Sequence, residues 1–299
     1  MTGCLGQLGR AIQQHWDACP LSASYELVPV DADQLDLTDS EDLRAYLNQL
    51  KPRYLINAAA FTQVDRAESA SKAAFAVNGE AVFELASWCK KNRSVLIQLS
   101  TDFVFDGRAR TPYLPDAETA PLSVYGASKL SGEDHVRDLL PHHGIIVRTS
   151  WLYSEFGSNF VKTMMRLMRT RSKLSVINDQ IGSPTSAHTL AQFILALIAA
   201  GKTRGVFHWT DGGEISWFDF ATAIYEVGTR HGLLPAGVSI FPIKSADYHT
   251  PATRPSYSVL DRKSSLTLIN EEFHEWRSAL DQVVKNLAKT SGSAEKIDE

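Results

Sequence analysis

Four short apolar runs, Glu26–Val30, Tyr54–Ala58, Val95–Leu99 and Ile145–Arg148, mark out the first half of the chain. Runs of this length, rich in β-formers, read as buried strands. Between them lie longer stretches of helical period: Leu8–Trp16, Ser40–Leu50, Asp65–Lys91 and Ser123–Leu139. Regular strand-helix alternation predicts an α/β fold with a doubly wound parallel sheet, Rossmann-like in type. The second half is more broken, with turns at Gly182-Ser183-Pro184, Asp211-Gly212-Gly213 and Thr250-Pro251. There Gly205–Thr210 and Val238–Ile243 read as strands, and Phe160–Met168 and Trp217–Gly228 as helices. Two of Met164, Met165 and Met168 are expected to line core.

The opening Thr2-Gly3-Cys4-Leu5-Gly6-Gln7-Leu8-Gly9 is a glycine-rich turn running into a helix. Glycines at every third position let backbone approach a pyrophosphate, whose charge a helix N-terminus favours. Any tight turn can use glycines, so the motif alone is weak. Such a turn should follow a buried strand, yet Met1 precedes it directly, so the native start is expected several residues upstream. Asn57-Ala58-Ala59-Ala60 ends a strand with small residues, which suit either a cofactor lying close or plain helix-sheet packing. Asp31 lies near the end of the Glu26–Val30 run and could accept a ribose hydroxyl, which would disfavour a 2′-phosphate. Asp36-Leu37 is spaced for an adenine pocket, and the two aspartates compete. NADPH and NADH therefore both remain open as cofactor.

Thr101 falls at the carboxyl end of the Val95–Leu99 run, the edge where open α/β sheets bind ligands. Leu99 closes that run and joins the cofactor set. On a helix from Ser123, Tyr125 and Lys129 share one face, being four residues apart. A phenol ordinarily titrates near 10, and a fixed ammonium beside it favours the phenolate. The trio suits proton transfer to a carbonyl oxygen while hydride arrives from elsewhere. Alone, Tyr-x-x-x-Lys is more often a packed tyrosine beside a surface lysine; Thr101 and the glycine-rich start shift the balance.

Composition bounds the rest. With 299 residues, 44% hydrophobic and 21% charged, the chain is that of a globular protein of one large domain, or of a large and a small one. Residues 1–150 are expected to form a dinucleotide-binding domain. Residues 151–288 would make a smaller α/β substrate part with segments returning to the first sheet, and 289–299 a frayed polar tail. A net charge of -4 gives no reason to expect nucleic acid, and no apolar run reaches membrane-span length. Cys4, Cys19 and Cys89 cannot all pair and show no metal spacing, which fits reduced thiols in a cytoplasmic protein.

From Gly3 to about Leu266 the chain resembles the dTDP-4-dehydrorhamnose reductases, a branch of the extended short-chain dehydrogenases/reductases. The likeness rests on Gly6-Gln7-Leu8-Gly9, Asn57 to Ala60, Val64-Asp65-Arg66-Ala67-Glu68 and Ser100 to Gly107, where Phe103 replaces a usual tyrosine. Tyr125 to Lys129 with Leu130-Ser131-Gly132-Glu133 continues it. Arg148-Thr149-Ser150-Trp151-Leu152-Tyr153, Asn178 to Thr185, Thr250 to Pro255 and Ser258 to Asp261 narrow it to this branch. The resemblance implies that Tyr125 gives a proton to the keto oxygen at sugar C4, Thr101 polarises that oxygen, and Lys129 holds the nicotinamide ribose and lowers the Tyr125 pKa. It further implies cofactor contacts at Gly3, Gly6, Gln7, Leu8 and Gly9, and substrate contacts at Asp102 and Trp151, with Arg254 meeting a diphosphate.

Plainer rivals stand beside these roles. Trp151 could close an interdomain core, Asp102 could cap the turn after its strand, and Arg254 could pair with a carboxylate such as Asp261. Some family members carry an acidic residue in the first helix that joins a magnesium site between subunits. Arg10-Ala11-Ile12-Gln13 has none, so no metal is expected. The chain would act on a dTDP-4-dehydro-sugar as a monomer or homodimer. A nucleotide-sugar epimerase or dehydratase, or a non-catalytic subunit like the methionine adenosyltransferase β subunit, are the competing readings. Asp102 has no glutamate after it, which argues against a dehydratase.

Overall fold

A computed structural model describes residues 1–269 and 275–294. Tyr54–Asn57, Val95–Thr101, Gly144–Thr149 and Gly205–His208 form one parallel sheet in that spatial order. Successive strand residues point to opposite faces, and the two sides of the sheet divide accordingly. Ile97, Ile145 and Val147 join Leu8, Ile12, Phe193 and Ile194 of helices Gln7–Trp16 and Ala187–Ala199. Leu96 and Ile146 join Leu43, Leu47, Leu85 and Val136 from helices on the other side. Every residue of Val95–Thr101 is buried, as a central strand covered on both faces must be.

The strand expected to be missing is represented by a single residue, Thr2. Thr2 pairs in parallel with both Val30 and Asn57, and Met1 O accepts from Val30 N at 2.9 Å. The chain order across the sheet is thus 2-1-3-4-5-6, with its reversal at Thr2 and Asn57. Of the predicted strand Glu26–Val30, only Val30 bridges, because the facing segment is so short.

The predicted Asp65–Lys91 helix is in four pieces: Val64–Ser69, Ser71–Phe75, a wide π turn at Ala76–Glu80, and Ala81–Asn92. Ala70 leaves helical geometry at φ −121° and ψ 41°. The wide turn places the fully buried Asn78 where its amide bonds both Phe61 N and Phe61 O, at 2.9 and 3.0 Å, and Ser128 Oγ at 3.0 Å. Periodicity alone did not register that inward polar side chain.

A second core lies after residue 150. Met164, Met165 and Met168, all three buried rather than two, pack with Leu174, Val176, Phe220, Ile224, Leu280 and Val283. Lys173–Ile177 and Ser239–Ile243 pair in parallel beneath the helices Phe160–Thr170 and Trp217–Arg230. The segment 187–208 returns to the main sheet, supplying a helix and its last strand. Residues 289–294, expected to fray, continue the helix Trp276–Ala294; 295–299 lie outside the described residues. Among the described residues no helix is long and apolar enough to cross a membrane.

One buried ion pair ties the main sheet to the helix Val124–Leu139. Arg148 Nε and Nη2 donate to Glu133 Oε1 and Oε2 at 2.8 and 2.7 Å, both side chains being essentially without solvent. His208 lies against Arg148 at 3.2 Å; burial first, and then that guanidinium, push its pKa down to about 3.

Candidate active site

Gly3 has φ +68°, and a Cβ there would stand 2.6 Å from Ala59 N and 2.7 Å from Ala58 C. The missing side chain is what lets the Ala58-Ala59-Ala60 segment lie against the turn. Gly6 is different: a Cβ would meet only Gly3 O, at 3.3 Å, so the space before it stays open. Gly6 also starts the Gln7–Trp16 helix without a side-chain cap. Uncapped N–H groups facing open space are what a pyrophosphate requires, so the residues present fit a dinucleotide.

Several expected cofactor residues contribute differently from their sequence-derived roles. The Gln7 side chain accepts from Ser154 Oγ and Asn159 Nδ2, both at 2.9 Å, so it serves the junction with the second core. Leu8 is buried in the first core, which leaves its backbone alone for a ligand. Asp36 Oδ1 accepts from Thr38 N and Thr38 Oγ1, and these bonds hold its pKa below the ordinary value. Leu37 is buried with Leu43 and Leu47. Asp31 instead holds the glycine-rich turn, accepting from Leu5 N at 2.7 Å. Of the two aspartates, Asp31 is therefore the one beside the turn.

The catalytic candidates converge at the carboxyl edge of Val95–Thr101. Ser123 caps the Val124–Leu139 helix through Gly126 N, and Glu68 Oε1 accepts from Val124 N at 2.9 Å. That start places Tyr125 beside Thr101, whose hydroxyl pulls the phenol's pKa down. Thr101 Oγ1 also donates to Asp102 Oδ1 at 3.0 Å and accepts from Phe103 N. Thr101, and not Asp102, caps the turn that follows. Asp102 is 2% exposed; burial raises its pKa to about 6 against the pull of Ser258 and Thr101. It stands behind Thr101, and the expected sugar contact is not open to it in this geometry. Phe103 sets its ring edge-to-face on Tyr125, 5.6 Å between centroids.

Lys129 is 4% exposed and donates to Leu99 O at 2.6 Å. Burial pushes its pKa down to about 8, with Glu133 pulling up. Burial drives the Tyr125 phenol up to about 12, Thr101 opposes this, and Asp102 adds to it. Leu99 enters the site through its carbonyl, at the end of a polar chain the sequence reading missed. Thr2 Oγ1 donates to Asn57 Oδ1 at 2.6 Å, Asn57 Nδ2 to Gln98 Oε1 at 2.8 Å, and Gln98 Nε2 to Leu99 O at 2.9 Å. The available signal was Gln98, a polar residue inside an apolar run.

On the substrate side, Trp151 follows Thr149, which pairs with Thr101. Its φ is +47°, and its ring stacks on Trp217 at 3.6 Å. Arg254 makes a fork with Asp65, at 3.1 and 2.8 Å, and also donates to Ala252 O. The local carboxylate weighed for it, Asp261, lies elsewhere, near Lys263. The guanidinium expected at a diphosphate joins segment 250–262 to the helix Val64–Ser69.

A glycine turn at the reversal of a parallel sheet, beside a threonine, tyrosine and lysine, defines an NAD(P)H-dependent oxidoreductase of the extended short-chain dehydrogenase/reductase type. The chain belongs to the RmlD substrate binding domain family, whose sequence model spans residues 1–289. It is 39% identical to a dTDP-4-keto-6-deoxy-D-glucose reductase of Streptomyces niveus over 94% of each chain. It is 37% identical to a dTDP-4-dehydrorhamnose reductase of Aggregatibacter actinomycetemcomitans, over 95% of this chain and 97% of that one. Among solved structures, it superposes on a Bacillus anthracis dTDP-4-dehydrorhamnose reductase in complex with NADP, with TM-score 0.87 and 33% identity, covering 95% and 97% of the two chains.

Proposed function

We propose that this protein reduces the C4 keto group of dTDP-4-dehydro-L-rhamnose to give dTDP-L-rhamnose, in dTDP-rhamnose biosynthesis. The convergence of Thr101, Tyr125 and Lys129 on the carboxyl edge of Val95–Thr101, beside the glycine turn, carries this reading. Bound NADPH or NADH supplies the hydride. Tyr125 gives its proton to the keto oxygen, and Thr101 donates a hydrogen bond to the same oxygen as negative charge develops there. Lys129, held by Leu99 O, offers an ammonium to the nicotinamide ribose and to the phenolate left behind. Trp151 supplies an aromatic wall for the sugar nucleotide. The B. anthracis relative's NADP and the reductase names of the relatives support the cofactor and substrate classes.

The S. niveus relative favours a second reading, a 4-keto-6-deoxy sugar of D-gluco configuration. Both readings are tested by following NADPH and NADH absorbance with each 4-keto sugar nucleotide and comparing kcat/KM. Faster turnover of the rhamnose precursor supports the first; preference for the other selects the second. No oxidation with either at saturation removes the reductase assignment and leaves a non-catalytic role.

A further inference from the structure

Among the described residues, three that are not glycine have positive φ: Lys51, Arg93 and Trp151. Lys51 and Arg93 close helices, a routine left-handed position. Trp151 follows a strand instead, and a bulky residue there is a genuine outlier, held only if its surroundings over-determine it. Those surroundings are distant in sequence. Thr185 N donates to Trp151 O at 3.3 Å. A Cβ on Gly182 would fall 2.7 to 2.9 Å from the indole atoms Cε2, Cζ2 and Nε1, so only glycine admits the ring edge. Trp217 lies face to face with the indole at 3.6 Å and 14°, and Phe160 backs Trp217 at 4.6 Å. Trp217 opens its helix directly after a reciprocal Ser216–Asp219 capping box, which fixes the ring's own base.

We propose that Trp217 is a positioning residue for the sugar-nucleotide site, acting through Trp151 by holding the indole in a strained pose against Gly182. The inference rests on the reading of Trp151 as a substrate contact. A sugar ring or pyrimidine meets the enzyme over a surface, so the tilt of that surface sets how well the 4-keto carbon is presented. Loss of Trp217 would let the left-handed backbone relax and the indole swing.

Steady-state kinetics of Trp217→Ala, Trp151→Ala and the double variant test this. The expected result for Trp217→Ala is a rise of roughly 2- to 10-fold in KM for the sugar nucleotide, the scale of one stacked aromatic pair. KM for NADPH should not move. On the Trp151→Ala background the same change should add nothing. Trp217→Phe, which keeps a ring, should recover most of the loss. Gly182→Ala, which drives a methyl into the indole edge, should mimic Trp217→Ala, and these last two carry the test if Trp217→Ala does not fold. An unchanged sugar KM in Trp217→Ala and Gly182→Ala, with Trp151→Ala impaired, overturns the positioning role while leaving the function intact. Additive losses in the double variant overturn it as well. An unchanged KM in Trp151→Ala removes the substrate contact on which it stands.

Discussion

The proposed proton-transfer corner and the proposed substrate wall are built by opposite routes. Thr101 ends the strand Val95–Thr101, and Tyr125 and Lys129 lie one turn apart on the next long helix, Val124–Leu139. Local spacing brings them together, and each is buried or half-buried by elements next to it in sequence. The wall draws on Trp151, Gly182 and Trp217, and nearby Arg254 reaches back to Asp65 across 189 positions. Chemistry that depends on one fixed geometry sits on contiguous structure, while the surface that would choose the sugar is assembled from far-apart pieces. A family of reductases can then change its sugar by altering the second without disturbing the first.

The contrast can be broken most sharply at Tyr125. Tyr125→Phe should lower kcat by roughly 10²- to 10⁴-fold while cofactor still binds, because only the transferable proton is removed. Near-normal turnover, with cofactor binding checked by fluorescence titration, would sink the corner's role. Arg148→Ala tests whether the two halves share a frame. It removes one of the two guanidinium partners of Glu133, Arg137 remaining at 2.6 Å, and should cost about 1.5–3 kcal/mol in urea denaturation. A loss below 1 kcal/mol would mean the pair is dispensable.

Asp102 sharpens the corner through pH. Its folded pKa of about 6 exceeds its ordinary 3.8, so folded protein holds a proton that the unfolded chain releases between those values. Stability therefore falls as pH rises through that window, by at most about 3 kcal/mol. Asp102→Asn should flatten that slope when urea midpoints at pH 4.5 and 7 are compared with wild type; an undiminished slope would assign it to other groups. The smallest effect belongs to the half-open clamp. Arg254→Ala and Asp65→Ala should each cost under about 1 kcal/mol, and the double variant no more than either alone. Additive losses would show that Arg254 has work apart from Asp65.

The same contrast explains what could be read from the sequence. The sheet was legible because its strands alternate faces, and Tyr125 and Lys129 because a helix has a fixed period. Glycines before a helix announced the turn. Asn78 and the wide turn were hidden because a π segment breaks the very period used to read helices. Gln98 was passed over inside an apolar run, although its side chain links Asn57 to Leu99 O. The Arg254 fork was hidden because its partner, Asp65, lies far back in sequence on the helix Val64–Ser69, where no local rule points. Trp217 offered no signal apart from being aromatic.

His208 carries a consequence for how this enzyme meets acid. With its pKa near 3, the imidazole stays neutral through mild acidification and adds no positive charge beside Arg148. The strand that leads into Trp151 therefore keeps a single electrostatic state from neutral to mildly acidic pH. Activity lost on modest acidification should be traced to the carboxylate behind Thr101, not to this interior frame.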